Sequence, residues 1–128
     1  MTAVASAPVE TAKSPQPEPE MPQEAPTQAV EPIKPVEQIV REAARKYGLD
    51  EEHFVAVAQC ESTMNPTSVN YGYNENGYPS GLFQHLSGYY PARALKYGYS
   101  TDVFDAYSNA NTTAAMFADG LQSLWECK

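Results

Sequence analysis

One carboxylate in this chain stands where a carboxylate is costly. Glu61 follows Phe54, Val57 and Ala58 by seven, four and three residues, so on a helix it shares their apolar stripe, near the C-terminal end. Burial and the negative end of the helix dipole both disfavour its ionised form. A carboxyl that keeps its proton near neutral pH can donate it to the bridging oxygen of a leaving sugar, as a glycosidase acid does. Position alone leaves a plainer alternative open, a rim glutamate that pairs with an arginine or caps a loop.

Other residue types with chemical potential are more quickly weighed. Cys60 and Cys127 bracket almost all of the aromatic-bearing part of the chain. Paired, they would close a loop that the chain-entropy model values at about 4 kcal/mol; unpaired, they would be two small buried hydrophobes. His53 and His85 have no ligand-like spacing to each other or to the cysteines, so no zinc pattern is present. The Asn/Gly/Tyr run from Val69 to Tyr78 suggests a calcium loop, but alignment to that pattern puts Gly72 first and Phe83 twelfth, where carboxylates are required. No metal and no cofactor is expected. Tyr71, Tyr73, Tyr78, Tyr89, Tyr90, Tyr97, Tyr99 and Tyr107 all follow Glu61, and two or three are expected to offer a ring face to sugar; the sequence does not choose among them.

Helices must position these groups. The first starts after Pro35 and carries Ile39, Val40, Ala43, Ala44 and Tyr47 at helical spacing until Gly48. A second opens at Asp50, an N-cap followed by Glu51 and Glu52, runs through Glu61, and is expected to stop at Asn65-Pro66. Residues 66 to 80 read as a loop with room for one small hairpin. A short helix is expected over Leu82 to Leu86, a third full helix over Pro91 to Tyr97 before Gly98, and a last one from Asn109 to Trp125 with Ala110, Ala114, Phe117, Leu121 and Leu124 on one face. The fold class is therefore mainly α.

Before Val36 the composition changes. That stretch holds eight of the eleven prolines and no aromatic residue, so residues 1 to 35 are expected to form a disordered Pro/Glu/Ala-rich tail or linker, and residues 36 to 128 one small domain. The start lacks the basic and apolar regions of a signal peptide, and no run is long enough to span a bilayer. The formal charge of −8, about −3 in the tail and about −5 in the domain, argues against nucleic acid, whose binding needs clustered cations.

Several short motifs now fall into an order. Cys60-Glu61-Ser62 with Asn65-Pro66, then Gly81-Leu82-Phe83-Gln84, then Asp105 and Asn109 with Ala114 beyond, resembles the soluble lytic transglycosylase family of the lysozyme-like fold across residues 36 to 128. Trp125 and Cys127 resemble the Trp-x-Cys ending of its secreted and phage-borne actinobacterial members. The resemblance implies a catalytic groove and a peptidoglycan substrate. It makes Glu61 the general acid and then the base, with Ser62 holding its neighbourhood, Gly81, Leu82, Phe83 and Gln84 lining the groove, and Tyr78, Tyr107 and Asn109 as further substrate contacts. It also implies a Cys60–Cys127 disulfide, a monomer, and an extracellular or wall-associated setting reached by secretion or phage delivery. Two departures are visible. The family's Ala-Tyr-Asn-Ala-Gly motif has only an imperfect counterpart in Ala106-Tyr107-Ser108-Asn109-Ala110, which leaves its tyrosine role unassigned, and Phe83 replaces the usual Met.

The reaction class turns on a second carboxylate. A hydrolase needs one, close to the acid if retaining and farther if inverting; Glu75, Asp102 and Asp105 are the candidates, and no motif marks any of them. A lytic transglycosylase needs none, because the substrate's own N-acetyl group and C6 hydroxyl complete the reaction intramolecularly at high effective molarity. Transglycosylase is thus placed ahead of muramidase, with an inactive glycan-binding module of the same fold as the third reading. The acidic balance fits least well, since bacterial walls are commonly anionic.

Overall fold

The computed structural model describes residues 34–72 and 75–128. Residues 1 to 33 of the expected tail, and Tyr73, lie outside the described residues. The folded unit is Pro35–Lys128. Its elements are α1 (Val36–Lys46), α2 (Glu51–Ser62), β1 (Pro79–Ser80), β2 (His85–Leu86), α3 (Tyr90–Tyr97) and α4 (Ala106–Ala118), then a 3-10 turn at Gln122–Leu124. The fold is mainly α.

α1 buries Val40, Ala43 and Ala44 and packs on α2 and α4. Arg41 reaches Glu37 at 2.9 Å and Glu52 at 2.7 Å, while Arg45 reaches Glu51 at 2.9 Å. The pairs to Glu52 and Glu51 join α1 to α2, and the pair to Glu37 lies within α1; at a wetted surface each contributes little energy. α2 begins where Asp50 accepts the amide of Glu52 at 3.1 Å. It ends three residues earlier than Asn65-Pro66 led us to expect, because Thr63 and Met64 both take left-handed backbone angles, φ 54° and 64°. The proline is not what stops this helix.

The segment after the loop is a hairpin, not the short helix expected over Leu82 to Leu86. Pro79 pairs with Leu86 and Ser80 with His85, and Gly81 and Gln84 in the intervening turn have φ of 82° and 57°. Left-handed residues at both ends of a four-residue turn cannot continue a right-handed helix. Leu82 and Leu86 imitate helical spacing while belonging to a turn and a strand.

α4 also differs from its expected span. It starts at Asp105, whose carboxylate accepts the Ser108 amide at 3.2 Å and hydroxyl at 2.6 Å, and it closes at Asp119 with Gly120 left-handed at φ 83°. Leu121 and Leu124 lie beyond its end, and Leu124 is exposed. Every residue from Ser108 to Phe117 is buried, so this is a central helix surrounded by the others. Around it Phe54 stacks on Phe83 at 4.5 Å and meets Phe117 edge-on at 5.5 Å, and Phe117 meets Trp125 at 5.1 Å. The chain end returns across the molecule: Cys127 is bonded to Cys60 of α2 over 67 positions of sequence.

Candidate active site

α2 delivers Glu61 to the wall of a groove of about 480 Å³. The groove is walled by Cys60 and Glu61 of α2, by Asn70, Pro79, Gln84 and Leu86 of the loop and hairpin, by Arg93 of α3, and by Leu124 to Cys127 of the chain end. Glu61 is partly buried, and burial is the largest influence on its carboxyl, raising the pKa above the ordinary value. The amide of Cys127, 3.3 Å from Oε2, pulls the other way by favouring the carboxylate, and the nearby charge of Glu126 raises the pKa again. The net direction is upward, toward easier retention of the proton, which is the direction a general acid requires.

The other expected site residues divide into those that meet the groove and those that build it. Gln84 meets it: its Nε2 donates to Ser68 O at 3.1 Å and Gly81 O at 2.9 Å, which leaves Oε1 to accept. Ser62 is buried and acts as a knot, donating to Leu82 O at 2.7 Å and accepting the Asn65 amide at 3.1 Å. It holds the end of α2, and hence Glu61, against the hairpin turn. Asn109 is wholly buried, its Oδ1 accepting the Phe83 amide at 3.1 Å and its Nδ2 donating to Val103 O at 2.8 Å. Leu82 and Phe83 have no exposed surface, so their side chains are core rather than groove wall. Gly81 is buried where a Cβ would come within 2.4 Å of Val103 O.

No tyrosine among the described residues lines the groove. Tyr78 is exposed and packs edge-on against exposed Tyr71 at 5.3 Å. Tyr107, at the start of α4, packs against Tyr99 at 5.9 Å. The three candidate second carboxylates are elsewhere too: Asp105 caps α4, Asp102 accepts the Phe104 amide at 3.0 Å, and Glu75 is exposed in its loop. The carboxylate that does share the groove with Glu61 is Glu126.

Sequence reasoning missed Glu126, Arg93, Asn70, Pro79 and Leu86. Arg93 is held by a buried relay. Thr113 Oγ1 donates to Asn109 O at 2.7 Å and so must accept from His85 Nε2, also at 2.7 Å. That assigns the proton of His85 to Nε2 and leaves Nδ1 to accept from Arg93 Nη1 at 3.0 Å. Burial first, and the arginine charge second, push the His85 pKa down to about 3, so the ring is neutral. Trp125 completes the wall by donating from Nε1 to Phe83 O at 2.7 Å.

A small helical domain that presents one partly buried carboxyl of raised pKa at a helix end beside a groove is of the lysozyme-like class. The family model for the transglycosylase SLT domain matches residues 38–125, and the chain belongs to that family. No curated protein and no solved structure matches it. At the family level the activity is glycan cleavage of the lytic transglycosylase type, and the substrate is peptidoglycan of the cell wall. Among the described residues no helix is long and apolar enough to cross a membrane.

Proposed function

We propose that this protein cleaves the β-1,4 bond between N-acetylmuramic acid and N-acetylglucosamine with Glu61 as its only proton-transferring residue. What carries the reading is the placement of Glu61 at the groove, partly buried, with its carboxyl pKa raised by that burial. Glu61 gives its proton to the bridging oxygen as the bond to the muramoyl anomeric carbon breaks. Now a carboxylate, it takes the proton of the same sugar's C6 hydroxyl as O6 bonds to that carbon. One residue serves both steps because the first leaves it as the base that the second requires. The disulfide supports an oxidising, extracellular or wall-associated place of action, reached by secretion or in a phage particle, with the protein acting as a monomer.

Glu126 favours a second reading, a muramidase in which it activates water. Product mass separates the two. Digestion of purified peptidoglycan should release 1,6-anhydromuramoyl ends, and Glu61→Gln should lower turnover by at least about a hundredfold. Hydrated reducing ends that disappear in Glu126→Gln would establish the muramidase, and undiminished cleavage by Glu61→Gln would end both readings.

A further inference from the structure

We propose that Arg93 is a specificity residue that takes a carboxylate borne by the muramoyl units of the strand, so that the groove distinguishes muramoyl from glucosaminyl positions by charge. This rests on the peptidoglycan reading given above. Among the eleven residues that line the groove Arg93 is the one cation, and the other two ionisable groups are the carboxyls of Glu61 and Glu126. Its guanidinium gives one N–H to His85 at 3.0 Å and lies over the rings of Tyr89, at 5.4 Å, and Trp125, at 6.0 Å. Among the described residues no carboxylate lies within ion-pair distance of it. Guanidinium has five N–H donors and matches a carboxylate two at a time.

The support beneath Arg93 is built for position rather than charge balance. A carboxylate partner would have neutralised the arginine. The neutral imidazole of His85 anchors one nitrogen and leaves the positive charge unspent, while Thr113 and Asn109 of α4 lock the ring. Arg93 and Glu61 line the same groove, and Arg93 serves the strand.

The strand supplies the complementary group. Muramoyl units carry a lactyl ether with a carboxyl at its end, and glucosaminyl units do not. Two sources share this chemistry, the free lactyl carboxylate of a peptide-free strand and a carboxylate of the stem peptide attached there. An unpaired arginine in the groove gives an acidic domain a local foothold on an anionic polymer.

Binding is measured by calorimetry on the full chain carrying Glu61→Gln, so that strands are held and not cut. The probes are a peptide-free GlcNAc–MurNAc tetrasaccharide, its lactyl N-methylamide, the tetrasaccharide bearing L-Ala-D-Glu, and neutral chitotetraose. An anionic tetrasaccharide should bind about tenfold more tightly than the N-methylamide and chitotetraose, as one charge-assisted pair implies. Arg93→Gln should erase that preference, lowering affinity for the anionic strands about tenfold more than for chitotetraose, and Arg93→Lys should retain part of it. A preference seen with the free lactyl acid assigns the lactyl source, and one confined to the dipeptide strand assigns the stem. Equal weakening of all four probes by Arg93→Gln, with Arg93→Lys behaving the same way, would make Arg93 a wall residue and overturn the proposal, as would an unchanged preference. Cleavage by the unsubstituted protein is followed in parallel. Cleavage without charge preference defeats this inference alone, whereas neither cleavage nor binding of any strand defeats the peptidoglycan reading and this inference with it.

Discussion

Two titratable side chains beside the groove pull stability in opposite directions with pH. His85 has its folded pKa pushed down to about 3 from 6.5, so across that interval the unfolded chain binds more protons than the folded one. Its contribution is complete above pH 6.5 and is lost as pH falls toward 3, by up to about 1.4 kcal/mol per unit for one proton. Urea midpoints should therefore decline from pH 7 to pH 4, and less steeply in His85→Gln; equal slopes would mean that the ring is not held neutral. For Glu61 the folded pKa is raised, the folded state holds the extra proton, and stability is lost as pH rises through that value. Glu61→Gln should accordingly raise the melting temperature more at pH 7 than at pH 4, a difference that scanning calorimetry reads directly. Glu61 was legible in the sequence because Phe54, Val57 and Ala58 lie within two turns of it. Arg93 and Glu126 were not, since what makes them groove residues is the return of the chain end to α2, and no local pattern carries that.

The hairpin turn is the element on which the site's geometry depends. Gly81 has φ +82°, and a Cβ there would come within 2.4 Å of Val103 O and 2.5 Å of Asn109 Nδ2. Gly98 has φ +85° with nothing within 4 Å. Gly98→Ala should cost only the roughly 1–2 kcal/mol of a left-handed alanine. Gly81→Ala should cost clearly more, because Asn109 must move and release the Phe83 amide. Urea denaturation of the two variants tests this, and equal losses would show that the turn can give way. Helices α1, α2 and α3 follow from their apolar spacing and their Asp, Pro and Gly boundaries. The hairpin was hidden because Leu82 and Leu86 match helical spacing, and the positive φ of Gln84 has no compositional signal. In α4 the expected apolar face ran on through Leu121 and Leu124, which lie beyond the helix end, and Asn109, expected as a substrate contact, is buried with Ser108, Asn111, Thr112 and Thr113; Asn109 and Thr113 are satisfied by tertiary hydrogen bonds that spacing does not reveal.

At the scale of the whole molecule, one covalent bond ties the acid-bearing helix to the chain-end wall of its own groove. Replacing Cys127 by Ser should lower stability by about 2–5 kcal/mol, and it should also lower turnover at temperatures where the variant remains folded, because the wall from Leu124 to Cys127 is then free to leave Glu61. Circular dichroism and a peptidoglycan digestion assay run side by side would show whether the two losses separate; a folded variant with full turnover would mean that the wall stays in place without its bond. The order of motifs from Cys60 to Cys127 made this arrangement expected, although composition alone left two free thiols open as the lesser alternative. Residue 127 touches the acid through its main-chain amide and the helix through its sulfur. A scan of side-chain replacements reads only the sulfur and is blind to the amide, because every coded residue except proline carries the same N–H. The two roles become separable only by chemical synthesis, with an ester in place of the amide at position 127 that keeps the cross-link and deletes the donor.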